Sequence, residues 1–147
     1  MDEKYMKMAL DEAKKGFSEN EVPIGAVIVY KDKIIAKAHN KKNRCNNPLY
    51  HAELLAINEA CEYLKNWRLD DCSIYVTLEP CPMCASAIKQ SRISKLCYGV
   101  SAQNIELHNL STSIVESTDI NSKVMIVNNV LYDECLELLQ NFFKLRR

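Results

Sequence analysis

The sequence has no excess of charge of either sign and no long apolar run. Its 147 residues carry 19 Lys and Arg against 19 Asp and Glu, so the net charge gives no sign of a general affinity for nucleic acid. No apolar stretch approaches the length that spans a membrane, and residues 1–4 carry no apolar signal region. Linkers, low-complexity tracts and internal repeats are also missing. We therefore expect residues 1–147 to form one domain with one sizeable core and no membrane partner.

Seven cysteines are present, but they lack the spacing of a disulfide framework. Their number is odd and they are scattered along the chain, at positions 45, 61, 72, 81, 84, 97 and 135. This pattern favours the reducing cytoplasm, where two of them can serve as metal thiolates and the others behave mostly as small buried apolar residues.

The most informative pattern pairs His51 and Glu53, in a His-x-Glu motif, with Cys81 and Cys84, in a Pro-Cys-x-x-Cys motif. An imidazole nitrogen and two thiolate sulfurs are good ligands for Zn²⁺. Three protein ligands leave the fourth tetrahedral position to water, as in catalytic sites, and no further cysteine pair at short spacing would close the site. The carboxylate of Glu53 can then stand beside that water without binding the metal.

The order of these two motifs is typical of zinc-dependent deaminases. Zinc would lower the pKa of its bound water to near neutral, and Glu53 would carry the proton of that water to a ring nitrogen and then to the departing amine. The motifs therefore predict hydrolytic deamination of an amidine-like carbon, such as C4 of cytosine or C6 of adenine. Zincin proteases use His-Glu-x-x-His, which the sequence does not contain.

Hydrophobic periodicity predicts strands that alternate with helices. The predicted strands are residues 25–30, 34–36, 73–78, 95–100 and 123–127, and the predicted helices are residues 3–17, 51–64, a segment that begins near Pro82, and 133–144. This order indicates an α/β domain in which helices cover a largely parallel sheet that starts as an antiparallel hairpin. His51 and Cys81 would then lie at the first turns of two helices, beside the ends of strands.

Polar residues around these motifs have more than one interpretation. Asn40 follows the second strand, where an amide can read the edge of a base but where most asparagines serve in turns. His39 is expected to pack or to face solvent, and Trp67 to anchor a core or an interface rather than stack on bases. The basic segments 41–44 and 144–147 are either solvated surface or contacts for phosphate.

Segments spread nearly end to end resemble the cytidine deaminase-like superfamily, and within it most closely the bacterial tRNA-specific adenosine deaminases. The matching segments are 21–27 (Glu-Val-Pro-Ile-Gly-Ala-Val), 39–40, 51–53, 67–69, 75–81, 91–93, 133–135 and 142–144. The resemblance implies a three-layer α/β/α fold, with a five-stranded mixed sheet and helices on both faces, that forms a homodimer. It also implies conversion of the wobble adenosine of a tRNA anticodon to inosine, with release of ammonia.

The same resemblance implies roles for individual residues. His51, Cys81 and Cys84 would bind one Zn²⁺ per subunit, and Glu53 would shuttle protons. The residues that would hold the base are Asn40, Ala52 through its backbone, Val22 and Pro23. The residues that would contact the tRNA anticodon stem-loop are Lys41, Lys42, Arg44, Phe143, Lys144, Arg146 and Arg147.

The chain departs from this family in two segments. The family usually has Asp-x-Lys-x-Gly-Ala after Gly99, whereas the segment Val100–Leu110 lacks this motif, and Tyr50 stands where the family tends to have alanine. Pro82, between the two cysteines, resembles purine-base deaminases such as guanine deaminase. Two alternatives therefore stay open. One is a deaminase of a free nucleobase or nucleoside of the guanine or cytosine type, and the other is a non-catalytic RNA-binding or partner-binding module that keeps zinc for stability.

Overall fold

The computed structural model of the protein describes residues 1–102 and 123–145. The helices among them are α1 (Asp2–Ser18), α2 (Ala52–Leu64), α3 (Pro82–Gln90) and α4 (Tyr132–Lys144). The strands are β1 (Gly25–Tyr30), β2 (Lys33–His39), β3 (Cys72–Leu78), β4 (Lys95–Val100) and β5 (Met125–Val127). Arg146, Arg147 and most of the segment Val100–Leu110 lie outside the described residues. No helix in the described part is long and apolar enough to cross a membrane.

The five strands form one mixed sheet in the order β2-β1-β3-β4-β5. β1 is antiparallel to both β2 and β3, whereas β3 is parallel to β4 and β4 is parallel to β5. Four strands therefore run in one direction and only β1 runs against them, which confirms the five-stranded mixed sheet and the antiparallel hairpin at its start. The connection from β2 through α2 crosses over β1, and β3 then runs in the same direction as β2. β1 therefore lies between two strands that are both antiparallel to it.

Helices cover both faces of the sheet and give the predicted three-layer arrangement. Alternate residues of β1 belong to different cores, because successive side chains of a strand point to opposite faces. Ala26 and Ile28 pack in the core beneath α2 and α3, and Val27 and Val29 pack in the core beneath α1 and α4. α1 approaches β1 so closely that a Cβ atom at Gly25 would overlap the backbone of α1.

The topology brings the starts of α2 and α3 to the same edge of the sheet. β2 and β3 run in the same direction, so the chain leaves both strands at that edge. After β2 it passes through residues 40–51 into α2, and after β3 it passes through residues 79–81 into α3. Since α2 and α3 contribute to one core on one face, their N-terminal turns lie side by side.

Candidate functional site

Three metal-ligating side chains meet where α2 and α3 begin. His51 and Cys81 are the residues that precede the two helices, and Cys84 lies in the first turn of α3. The Nδ1 atom of His51 lies 3.7 Å from the Sγ atom of Cys81 and 3.5 Å from that of Cys84. A tetrahedral zinc ion with ordinary bond lengths needs such ligand atoms about 3.5–3.8 Å apart. The cluster therefore has the donor set and the spacing to hold one ion.

The start of α3 favours a thiolate at Cys81. Free backbone N–H groups and the positive end of the helix dipole lie there. A hydrogen bond from the Cys84 thiol lowers the pKa of Cys81 to about 4, although burial opposes this. The same hydrogen bond raises the pKa of Cys84, as does burial, and the hydrogen bond with Cys81 raises the pKa of His51. Binding of a cation would displace these protons, because zinc takes thiolate and neutral imidazole ligands.

Glu53 is a buried carboxylate in the first turn of α2, and only 3% of its surface is exposed. Its Oε1 atom has no hydrogen-bond partner among the described residues. Burial raises the pKa of Glu53 to about 7, although a hydrogen bond from its own backbone N–H opposes the rise. A buried polar atom without a partner destabilises a fold, so such groups call for a functional reason. A carboxyl group with a pKa near neutral beside a potential metal site is suited to general acid–base catalysis.

Asn40 and Ala52 are brought together beside His51. Asn40 is 7% exposed, and its Oδ1 atom accepts a hydrogen bond of 2.8 Å from the backbone N–H of Ala52. The backbone N–H of Asn40 in turn donates to the carbonyl oxygen of Ile24, 3.3 Å away. This places the half-buried Val22 and the buried Pro23, which lead into β1, near the same edge.

His39 packs in the interior, one of the two positions expected for it, and its ring contacts two carboxylates. Its Nδ1 atom lies 3.2 Å from a carboxylate oxygen of Glu12, and its Nε2 atom lies 2.9 Å from one of Glu19. Burial of Glu12 would raise its pKa, but hydrogen bonds from Lys15 and His39 outweigh burial and hold that pKa below its ordinary value. Glu12 and Glu19 lie in and just after α1, so the ring ties the end of β2 to the end of α1.

Glu79 connects the turn before Cys81 to the first residues of the segment Val100–Leu110. Its Oε1 atom accepts hydrogen bonds from the hydroxyl of Ser101 at 3.2 Å and from the backbone N–H of Ala102 at 2.9 Å. Its own N–H donates to the carbonyl oxygen of Val100 at 2.8 Å. Sequence analysis assigned no role to Glu79, because its partners lie in a distant segment and leave no local pattern.

The described residues expected to contact RNA fall into two segments that both adjoin the C-terminal end of α1. Lys41 is half-buried, and Lys42 and Arg44 are exposed. Arg44 pairs with Glu19 at 3.2 Å, just after α1. On α4, Phe143 and Lys144 are exposed. The neighbouring ring of Phe142 contacts that of Phe17 near the end of α1, with centroids 5.8 Å apart.

The sequence is similar to those of known deaminases along most of its length. The family model of MafB19-like deaminases matches residues 1–147. A tRNA-specific adenosine deaminase of Bacillus subtilis (strain 168) is 43% identical over 143 residues, which cover 97% of this chain and 89% of that protein. A tRNA-specific adenosine deaminase of Rickettsia bellii (strain RML369-C) is 43% identical over 141 residues, which cover 95% of this chain and 97% of that protein.

Solved structures share the fold. One, from work on A-to-I editing by tRNA:A34 deaminases at the wobble position of transfer RNA, has a TM-score of 0.84 at 34% identity, covering 92% of this chain and 99% of that one. A guanine deaminase from Nitrosomonas europaea has a TM-score of 0.83 at 19% identity, covering 95% of this chain and 83% of that one. The second likeness concerns the fold alone, and together they confirm the predicted three-layer architecture.

Proposed function

The chain belongs to the MafB19-like deaminase family, and we propose that it converts the wobble adenosine of a tRNA anticodon to inosine with release of ammonia. One observation carries the catalytic part of the proposal: a buried carboxylate with a pKa near 7 stands beside a His/Cys/Cys cluster. The tRNA part is supported by relatives at 43% identity that are named tRNA-specific adenosine deaminases. Residues 1–147 would form a single deaminase domain.

His51, Cys81 and Cys84 would hold one zinc ion per subunit. The choice of zinc is supported by the two sulfurs and one imidazole nitrogen of the cluster, a donor set that hard cations such as Mg²⁺ do not prefer. Zinc bound there supplies a water activated for attack at neutral pH. The two helix starts fix the directions of the three side chains, so the protein contributes the geometry of the site.

Glu53 would act as the proton carrier of the reaction. A carboxylate with a pKa near 7 can accept a proton from the attacking water and donate it again within one turnover. The first proton of the water would go to the ring nitrogen beside the attacked carbon. The second, taken from the hydroxyl group added to that carbon, would go to the amine, which leaves as ammonia while the carbon–oxygen double bond forms. Burial excludes bulk water from Oε1, so this atom would exchange protons with the reacting groups rather than with solvent.

Residues around the metal centre would bind the substrate. Asn40, Ala52, Val22 and Pro23 would hold the base, and the Asn40–Ala52 hydrogen bond supports this because it fixes the amide relative to the start of α2. The anticodon stem-loop would be contacted by Lys41, Lys42, Arg44, Phe143, Lys144, Arg146 and Arg147. Their common position at the end of α1 supports a single RNA-binding surface for the described members.

We also propose that the protein acts as a homodimer in the cytoplasm. A groove of about 640 Å³ beside α2 and α3 is lined by Leu54, Met83 and Trp67, among others, and Trp67 is 60% exposed. Arg68 and Arg92 flank the exposed ring, an environment typical of interface anchors. All seven cysteines are free thiols, which suits a reducing compartment. Light scattering should give a dimer mass for the protein and a monomer mass for Trp67→Arg.

A free nucleobase is the second candidate substrate. Tyr50 is a half-buried aromatic residue immediately before His51, and Pro82 is the first residue of α3. Tyr50 departs from the pattern of tRNA-specific deaminases, and Pro82 resembles purine-base deaminases. A bulky side chain at the entrance would favour a small substrate over a stem-loop.

Ammonia release distinguishes the candidates. Zinc-loaded protein is incubated with an anticodon stem-loop that carries adenosine at the wobble position, with the same stem-loop carrying guanosine there, and with free guanine, cytosine and cytidine. The proposal predicts release from the first RNA only. If a free base released ammonia and neither RNA did, that base rather than tRNA would be the substrate. Release by Glu53→Gln at the rate of the unaltered protein would contradict the catalytic role of Glu53.

A further inference from the structure

A short basic turn beside the metal centre, residues 41–47, rests on a buried carboxylate. Glu21 follows α1 and is 1% exposed. Its Oε1 atom accepts a hydrogen bond of 3.1 Å from the backbone N–H of Asn43, and its Oε2 atom accepts one of 2.7 Å from that of Arg44. Both bonds run to the backbone of the turn, so Glu21 fixes the path of the chain whatever side chains the turn carries.

The other end of this segment is fixed at the metal centre. Asn40 accepts the N–H of Ala52 at 2.8 Å, and the carbonyl oxygen of Tyr50 accepts the N–H of Lys41 at 3.0 Å. Residues 40–52 therefore form a closed loop. Its base flanks His51 and its tip is held by Glu21, so the position of the basic turn relative to the metal ligands is set by hydrogen bonds at both ends.

The outer side of the turn carries groups that suit RNA. A shallow pocket of about 460 Å³ is lined by Lys42, Asn43, Asn46, Asn47 and Pro48. An ammonium group offers a charge to phosphate, and amide groups can donate to and accept from a base or a ribose. The side chain of Arg44 is already paired with Glu19, so Lys42 supplies the exposed ammonium of this pocket.

We propose that Glu21 is a positioning residue for RNA recognition, whose buried carboxylate holds the basic turn 41–47 as a preformed surface for nucleotides beside the target base. This inference rests on the proposed function. A turn that is already ordered loses little conformational freedom when RNA binds, so Glu21 improves binding without contacting the RNA. Residues at the metal centre act on the target base itself, so loss of Glu21 should weaken binding and leave the chemical step intact.

The test compares Glu21→Gln with Glu3→Gln, which removes the same charge from an exposed position of α1. The glutamine at 21 would turn an NH₂ group toward one of the two backbone N–H donors, and that bond would be lost. For the stem-loop we expect KM to rise about tenfold and the slope of log KM against log salt to change by about one, as for the loss of a phosphate contact. kcat should stay within about twofold and zinc content should not change, since Glu21 touches neither the reacting atoms nor the ligands.

Hydrogen exchange provides a second measurement that does not depend on RNA. The amides of Asn43 and Arg44 should exchange faster in Glu21→Gln than in Glu3→Gln. Glu21→Asp keeps the charge, so its KM should lie between that of Glu21→Gln and that of the unaltered protein. An unchanged KM in Glu21→Gln, or a parallel loss of kcat and zinc, overturns the inference. If the unaltered protein leaves the stem-loop intact, the proposed function fails and the RNA role of Glu21 fails with it. If the amide protection of Asn43 and Arg44 is unchanged in Glu21→Gln, Glu21 does not hold the backbone of the turn, and the inference fails for that reason.

Discussion

Replacing Glu53 by glutamine should slow turnover by about 10²–10⁴-fold and, in the zinc-free protein, increase stability at alkaline pH. The amide has nearly the shape of the carboxylate but carries no charge. Glu53 is 3% exposed, and burial raises its pKa from 4.5 to about 7. Above pH 7 the folded chain therefore contains an ionised carboxylate that the unfolded chain accommodates more favourably by about 3 kcal/mol.

The sign of the pH dependence follows from the raised pKa. Below about pH 4.5 the carboxyl group is protonated in both the folded and the unfolded chain, so Glu53 imposes no penalty. As the pH rises toward 7 the unfolded chain loses the proton first, and the zinc-free protein is progressively destabilised. Glutamine does not titrate, so the stability advantage of Glu53→Gln should be about 3 kcal/mol larger at pH 8.5 than at pH 4.5.

Urea unfolding of the zinc-free proteins at the two pH values measures this difference. Glu62→Gln removes the same charge from an exposed position of the same helix and serves as the matched control. With zinc loaded, Glu53→Gln should keep its metal while kcat falls by about 10²–10⁴-fold, the range for loss of a general acid–base group. A stability difference between Glu53→Gln and the unaltered protein that is the same at both pH values would refute the reasoning.

Three further predictions concern the metal and the scaffold. Chelation should lower the melting temperature, because zinc at a thousandfold its dissociation constant stabilises the folded chain by about 4 kcal/mol, and calorimetry with added Mg²⁺ as control checks this. A hydrogen bond from Lys95 lowers the pKa of Asp2, so this bond stabilises the folded chain above about pH 4 and less at lower pH. Lys95→Met should therefore be less stable than the unaltered protein at pH 7 and nearly as stable at pH 2. Gly25→Ala should lower the free energy of unfolding by about 1–3 kcal/mol, because its Cβ would overlap the carbonyl of Ala9. Urea unfolding measures this, and a free energy equal to that of the unaltered protein would contradict the close packing of α1 on β1.

Local patterns made the metal centre predictable from the sequence. Cys81 and Cys84 are close along the chain, and His51 and Glu53 lie within one helical turn, so residue spacing alone indicated which side chains share a site. The alternation of strands and helices likewise located nearly every element of the described chain within a few residues. These features depend on interactions between near neighbours in the sequence, and such interactions leave a visible pattern.

Contacts between distant segments were not predictable in the same way. The antiparallel pairing of β1 with β3 depends on which side of β1 the connection through α2 returns to, and it joins residues that lie roughly 40–50 positions apart in the sequence. His39 was expected to pack or face solvent, and the sequence did not indicate that it bridges carboxylates 27 and 20 residues away. Each of these contacts joins groups that are individually common at the surface, so only the assembled fold reveals them.

Two buried carboxylates explain how the loops around the site can differ in sequence while the metal centre keeps its form. Glu21 accepts backbone N–H groups of residues 43 and 44, and Glu79 accepts the backbone N–H of Ala102, where the segment Val100–Leu110 begins. A carboxylate that accepts hydrogen bonds from backbone N–H groups can hold a loop of almost any sequence, because every residue except proline carries the same N–H. The side chains of Asn43, Arg44 and Ala102 can therefore change without displacing the backbone that Glu21 and Glu79 hold. We therefore expect substitutions of the side chains at residues 43 and 44 to alter substrate binding while His51, Cys81 and Cys84 keep their positions.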